Sequence, residues 1–312
     1  MSVRAETRVQ PAPRAVPVVH SKLIQAQTRL AWILLAPSLL VVAGVALVPL
    51  IQTVSQSFTN ARLASERPIS FVGVQNYINL LQDADFLHSI WVTVQFTVMT
   101  VAFEFVLGLG IAMVVNSNFK GRGFMRAAML VPWAIITVVS AQMWKWMYND
   151  VYGVFNDLLV DKLHILGSNI AWVSDPGTSI PAIAAVDIWK TTPFVALLLL
   201  AGLQVIPGDI YEAARVDGAN AIQQFLRLTL PLLRPAIVVT MIFRTLDSLR
   251  VFDVFYVMFG SRPDTMTMAI YAQQNIVSFS LLGYGSSVAI AIFVIIGIFV
   301  VAYVTLLKVE AS

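Results

Sequence analysis

Residues 212–231 read EAARVDGANAIQQFLRLTLP. Just before them stand Pro207, Gly208 and Asp209, a combination that suits a turn and a helix start. The spacing predicts a short helix over Glu212–Val216. Gly218 then permits a sharp break, because a residue without Cβ enters conformations closed to the others. Ala219 to Leu230 reads as helical again, with Ile222, Phe225, Leu226 and Thr229 on one side. Two short helices around a glycine make a projecting knob. Ala213 and Ala214 are small enough for another surface to come close, and Glu212 and Asp217 offer carboxylates to basic groups or helix ends on it. Composition by itself favours a plainer alternative, an amphipathic connector lying on lipid.

On either side the sequence turns apolar. Six stretches have the roughly 20 apolar residues that cross a bilayer core of about 30 Å: approximately 30–54, 89–116, 124–148, 180–205, 235–260 and 286–308. The 312 residues are 58% hydrophobic and 12% charged, with mean hydropathy +0.79. Soluble domains carry about 25% charged residues. The composition excludes a soluble enzyme, a nucleic-acid binder and a disordered chain, since a soluble fold could not cover so much apolar surface. The chain has no cysteine, which removes disulfides, thiol catalysis and Cys-ligated metal and leaves the redox compartment unread. The predicted fold class is all-α, a polytopic membrane protein with six transmembrane helices. Residues 1–29 read as a cytoplasmic disordered tail, turning helical near Ser21. Residues 30–308 read as the six-helix domain containing the 206–234 loop, and 309–312 as a second cytoplasmic tail. The basic leader is too long, and the first apolar core too extended, for a cleaved signal peptide.

The net charge of +3 reports orientation through its distribution. Arg4, Arg8, Arg14, Lys22, Arg29, Lys120, Arg122, Arg126, Arg215, Arg227, Arg234 and Lys308 fall on one side, and only Arg62, Arg67, Lys145, Lys162 and Arg262 on the other. The positive-inside rule then puts both termini and the 206–234 loop in the cytoplasm. Trp32, Trp91, Trp144 and Trp146 fall at predicted span ends, where amphipathic rings favour the headgroup layer. Trp133 and Trp189 fall at depth.

Seven charged residues also lie at depth: Glu104, Asp187, Lys190, Arg244, Asp247, Arg250 and Asp253. Each costs about 2.5–3.5 kcal/mol at a lipid-exposed helix centre, so each must face protein or a watery cavity. Arg244, Asp247, Arg250 and Asp253 alternate in sign at i, i+3 spacing and can pair along one helix. Counted from the outer ends, Asp187 and Lys190 come to similar heights as Asp253, Arg250 and Asp247. This predicts contact of Lys190 with Asp247 or Asp253. These groups serve either as structural ion pairs or as a polar wall of a solute path. For such a path the candidates are Trp133, Trp189, Lys190, Thr191, Asp247, Arg250, Asp253 and Tyr256, since hydroxyl-rich solutes need polar partners and flat aromatic faces. Pro132 predicts a kink beside Trp133 that exposes backbone carbonyls. No catalytic or metal-ligating set stands out. There is no phosphate-binding Gly-Lys motif, no HExxH and no Gly-x-Ser-x-Gly, and His20, His88 and His164 all lie outside the spans. The inverted internal repeat of many secondary carriers is not evident.

The opening stretch resembles the EAA loop of binding-protein-dependent ABC importer permeases: EAA, three residues, Gly, nine residues, then Ile-x-Leu-Pro. Glu212, Ala213, Ala214, Gly218, Leu230 and Pro231 match at the right spacing, and Leu228 replaces the usual Ile. FVGVQNYINLL (71–81), FEFVLGLGIAM (103–113), IWKTTPFVALLLLAGLQVIP (188–207) and FRTLDSLRVFDVFYV (243–257) are similar to the carbohydrate branch. They look most like the first of the two permeases of maltose- and trehalose-type importers, over roughly residues 30–308. Phe259–Pro263 departs from the branch's Thr-Gly-Gly-x-Pro, and the extra spans and large outer domain of some maltose permeases are lacking.

The resemblance implies a type I ABC importer permease fold in a prokaryotic inner membrane. It implies a transport subunit that is not an enzyme, whose coupling residues Glu212, Ala213, Ala214, Asp217 and Gly218 dock on a separate ATPase. The implied partners are a second permease, two ATPase subunits that bind ATP and Mg, an extracytoplasmic sugar-binding protein and membrane lipid. No cofactor is expected on this chain and no nucleic acid. The implied substrate is a disaccharide such as trehalose or maltose, ahead of other oligosaccharides or glycerol phosphate. Two alternatives stand beside it: an ion-driven carrier using Glu104 or Asp187 as a proton site, and a sensor that docks a partner without transporting anything.

Overall fold

A computed structural model describes residues 22–306, and its side chains except those of residues 22, 23, 304 and 306. The predicted tail over 1–21, with Arg4, Arg8 and Arg14, and the C-terminal residues from 307 on, with Lys308, lie outside the described residues. Helix α1 spans Lys22–Ser57. Its start falls inside the segment read as a tail ending at 29. Up to Gln52 it is a unit of its own, apolar all round as lipid-facing helices are.

The second unit begins at Thr53. After α2 (Gln75–Gln82) comes the long α3 (Ala84–Asn116). Then follow α4 (Arg122–Met129), α5 (Val131–Ala134) and α6 (Thr137–Met147), and a short α7 (Val154–Asn156) continued by a wide π turn. The long α8 spans Pro176–Val205. The loop after it carries α9 (Gly208–Val216) and α10 (Ala221–Gln224). Helices α11 (Leu230–Leu249), α12 (Asp253–Phe259), α13 (Met268–Gln273) and α14 (Leu282–Leu306) complete the chain. Among the described residues, five helical runs are long and apolar enough to cross a membrane: Ile24–Ser57, Ala84–Asn116, Pro176–Val205, Ala221–Phe259 and Leu282–Tyr303. The sixth is bent. Its arms, Arg122–Ala134 and Thr137–Met147, meet at 86°.

Two predicted spans therefore need correcting. The 124–148 stretch is not one straight helix, because Ile135 and Ile136 are extended, with ψ of 135° and 134°. The break that Pro132 predicts falls three residues later, and Pro132 itself sits at the start of α5, where its missing N–H costs nothing. The 235–260 stretch is helical from Leu230 but loses its ladder over Arg250–Phe252. These interruptions separate Arg250 from Asp253.

Helix α3 packs along α8, and α11 closes on both. In a bilayer, lipid is as apolar as leucine, so close backbone approach through small residues replaces the hydrophobic effect as the driving force. A side chain added at Gly108 on α3 would run into Val195 and the backbone at Ala196 on α8. One added at Gly202 would meet Ala236 and Leu233 of α11. Two apolar clusters result. One, with Phe86, Phe96, Ile183 and Phe255, lies toward the start of α8 and is locked by an edge-on Phe96–Phe255 contact at 4.8 Å. The other, with Leu109, Val195, Leu199 and Leu233, lies toward its end.

Asp83 starts α3. One carboxylate oxygen accepts from the backbone N–H of Asp85 and Phe86, while the other accepts from the Tyr271 (2.6 Å) and Tyr284 (2.9 Å) hydroxyls. Burial alone would raise this carboxyl, but the donors prevail and hold it below the usual carboxylate range.

Candidate functional site: a charged node, two helix breaks and an elbow

Between the two clusters the chain buries charge. Arg244 of α11 is 3% exposed and is shared among three helices. Its guanidinium donates to Glu104 of α3 at 2.6 and 2.8 Å, to Asp187 of α8 at 3.1 Å and to Asp247 at 2.8 Å. The Thr191 hydroxyl also donates to Glu104. The planar fork of arginine suits this multiple recognition of carboxylates. The i, i+3 pairing predicted on the fifth span holds for Arg244–Asp247 and, at 3.4 Å, for Arg250–Asp247. It fails for Asp253, which has no ion-pair partner among the described residues, because the helix is interrupted before it.

The expected contact of Lys190 with Asp247 or Asp253 is not formed. The Lys190 ammonium instead donates to the Ile135 carbonyl at 2.5 Å and, weakly, to that of Trp133 at 3.5 Å. The depth match assumed an unbroken fifth helix. The observed break shifts the register, and Arg244, one turn lower, takes Asp187. The exposed carbonyls expected near Trp133 are present, and Lys190 satisfies them. A charged hydrogen bond such as that to Ile135 contributes about 1.5–3 kcal/mol.

Two cavities open beside the node. The polar one, about 360 Å³, is lined by Thr137, Asp187, Lys190, Thr191, Asp247 and Arg250 and by residues 251–254. Both helix breaks reach it, through Thr137 on one side and Val251–Phe252 on the other. Backbone that leaves the helix at membrane depth persists only where protein or a wet cavity satisfies it. The second cavity, about 610 Å³, is aromatic. Trp133, Phe194, Phe243 and Phe293 line it, and Asp247 and Arg250 are common to both. Trp133 stacks on Phe194, with centroids 5.7 Å apart and planes 9° from parallel.

Of the predicted path residues, the structure brings together Trp133, Lys190, Thr191, Asp247, Arg250 and Asp253. Trp189 lies elsewhere. It packs edge-on against Trp144 at 5.5 Å and faces a separate apolar cleft. Trp144 is also part of an aromatic cluster with Tyr148 and Phe155. Tyr256 stacks on Phe252 at 5.2 Å and lines neither cavity. Phe194 and Thr137 were missed. Phe194 stands four residues after Lys190 on one helix face, a signal present in the sequence.

The 206–234 loop forms an elbow. Helix α9 ends as Asp217 N–H and Ala219 N–H return to the Ala213 and Ala214 carbonyls, with Gly218 left-handed at φ +81°. Asn220 and Gln223 form a reciprocal capping box that starts α10. The arms are tied by the Tyr211 and Thr229 hydroxyls at 3.0 Å. The helical face expected to unite Ile222, Phe225, Leu226 and Thr229 is split. A π turn over Phe225–Thr229 keeps Phe225 and Thr229 inward, against the base of α11, and leaves Ile222 70% and Leu226 54% exposed. Val216 is 88% exposed beside them. Glu212 and Arg215 are 4.0 Å apart and exposed, a pairing that contributes little.

A family model described as binding-protein-dependent transport system inner membrane component matches residues 104–307. The chain belongs to this family. As a permease of the ABC importer type it is a transport subunit and not an enzyme, and it is an inner-membrane, multi-pass protein. It is 42% identical over 286 residues to the trehalose/maltose transport system permease protein MalF of Thermococcus litoralis, covering 91% of this permease and 95% of that one. It is 42% identical over 266 residues to the sulfoquinovosyl glycerol transport system permease protein SmoG of Agrobacterium fabrum, covering 85% of each. A chain in the crystal structure of a bacterial ABC transporter that imports the acidic polysaccharide alginate shares the fold, with a TM-score of 0.78 at 21% identity over 94% of this permease and 100% of that chain.

Proposed function

We propose that the permease is the transmembrane subunit of an ATP-driven sugar importer and forms half of its translocation path. The substrate is a disaccharide such as trehalose or maltose. Both termini and the 206–234 loop lie in the cytoplasm. The loop, through Glu212, Ala213, Ala214, Asp217 and Gly218, docks on one of two ATPase subunits, which bind ATP and Mg. A second, similar permease completes the path, and an extracytoplasmic binding protein delivers the sugar.

The observation that carries this reading is the elbow. Its inner arm is braced against α11 through Phe225 and Thr229, while Val216, Ile222 and Leu226 stay bare. A lever needs that arrangement, with a rigid base and an unsatisfied contact face. The relatives named for trehalose/maltose and sulfoquinovosyl glycerol transport support a sugar. The adjoining polar and aromatic cavities supply hydroxyl partners and a flat ring face. The residues that a proton-driven carrier would use, Glu104 and Asp187, are already engaged by Arg244. Closure of the ATPase dimer on ATP would move the elbow and reorient the spans, because nucleotide binds one arrangement more tightly than the other.

The test is uptake of labelled trehalose and maltose into vesicles carrying the whole transporter. Gly218→Pro and Glu212→Lys are expected to abolish ATP-driven uptake while the chain still inserts. Unchanged uptake in both variants contradicts the coupling role.

A further inference from the structure

The Lys190 side chain reaches the polar cavity, which Asp187, Asp247 and Asp253 also line. A lysine placed for charge pairing would turn to one of them. This one turns to the Ile135 and Trp133 carbonyls. Those carbonyls stand at the break, where extended Ile135 and Ile136 interrupt the helical ladder and leave the acceptors before them without an amide one turn on. One turn along the same face of α8, Phe194 stacks flat on the Trp133 ring. Helix α8 thus grips the end of α5 at two points, by backbone through Lys190 and by side chain through Phe194. The lysine grip falls mainly on the Ile135 carbonyl, two residues after Trp133, and the ring grip on Trp133 itself, whose ring lines the aromatic cavity.

We propose that Lys190 is a positioning residue that sets the bend between α5 and α6 and, through it, aims the Trp133 ring at the solute path. The role of the ring as a sugar platform rests on the function proposed above, whereas the setting of the bend does not. Lys190 does not touch sugar in this account. It keeps the angle of a broken span fixed, which neither a carboxylate nor an apolar side chain at 190 can do.

The experiment compares Lys190→Met and Lys190→Arg in the complete transporter, with two readouts. The first is a distance. The chain holds no cysteine, so spin labels on Phe124→Cys and Val139→Cys, both exposed and one on each arm of the bend, are unique within it. With cysteine-free partner subunits, Lys190→Met is expected to broaden and shift the label–label distance, and Lys190→Arg to restore it. The second is uptake. Lys190→Met is expected to raise the sugar concentration for half-maximal uptake roughly tenfold with little change in maximal rate, the scale of one lost ring contact. In a Trp133→Leu background it is expected to add nothing further. An unchanged distance distribution in Lys190→Met overturns the proposal. So do multiplicative effects of the two substitutions, which would mean direct contact of Lys190 with sugar. A fall in maximal rate alone in Lys190→Met, where Trp133→Leu does shift half-saturation, also overturns it. If the distance responds but Trp133→Leu leaves half-saturation untouched, the bend-setting role stands and the aromatic platform of the preceding section is what fails.

Discussion

Arg244 is the residue on which the interior depends most. It is one cation among Glu104, Asp187 and Asp247, and no second cation approaches Glu104 among the described residues. Removing one partner of a buried pair strands the other, at about 3–5 kcal/mol. Arg244→Ala is expected to lower the thermal midpoint of the detergent-solubilised permease sharply and to cut its yield in membranes. Arg250→Ala, whose guanidinium is exposed, is expected to leave both near the parent values. Equal effects of the two would contradict the assignment of Arg244 as the node. The sequence placed these charges within apolar stretches, where each must face protein or a watery cavity, and Arg244 and Glu104 are buried accordingly while Asp247 and Arg250 border the cavities. It did not show which carboxylate meets which cation. That depends on the rise of the fifth span, which the loss of helix at Arg250–Phe252 alters and which no periodicity signal marks. The same gap explains why Trp189 and Tyr256 read as path residues. Which way a ring faces depends on its neighbours: Trp144 for the one and Phe252 for the other.

At the scale of elements, glycine decides both the packing and the elbow. Helices α3 and α8 touch where Gly108 leaves room for Val195. Gly108→Leu is expected to force them apart and to destabilise the permease by about 1–3 kcal/mol, as overpacking does. Gly110→Leu, two residues on with open space around it, is expected to cost far less. Comparison of their denaturation midpoints in detergent checks this, and equal losses would show that the close approach is not what holds the pair. The break at Gly218 was legible because only glycine tolerates φ +81° cheaply. The split of the α10 face was not legible. A π turn adds one residue to the turn and rotates Phe225 and Thr229 away from Ile222 and Leu226, while composition still reads as a regular amphipathic helix. The bend at Ile135–Ile136 lies between these cases. Pro132 signalled irregularity, but the direction of the bend and the lysine that caps it depend on α8.

At the scale of the whole molecule, the six apolar stretches and the loop among them were readable from hydropathy alone, and the family follows from residues 104–307. The proposed movement is driven by a force from outside, and the sequence carries no phosphate-binding Gly-Lys motif. In the proposed function that force enters at the exposed rim of Val216, Ile222 and Leu226. The most direct measurement is a cross-link from that rim. Val216→Cys in the native assembly is treated with a short bifunctional reagent, the product is identified by mass spectrometry, and sugar uptake is followed before and after cleavage of the linker. Coupling through this rim gives a product joining the permease to the ATPase subunit, with uptake arrested by the link and restored when it is cut. A product with lipid or with this permease's own helices only, or full uptake with the link intact, would contradict it.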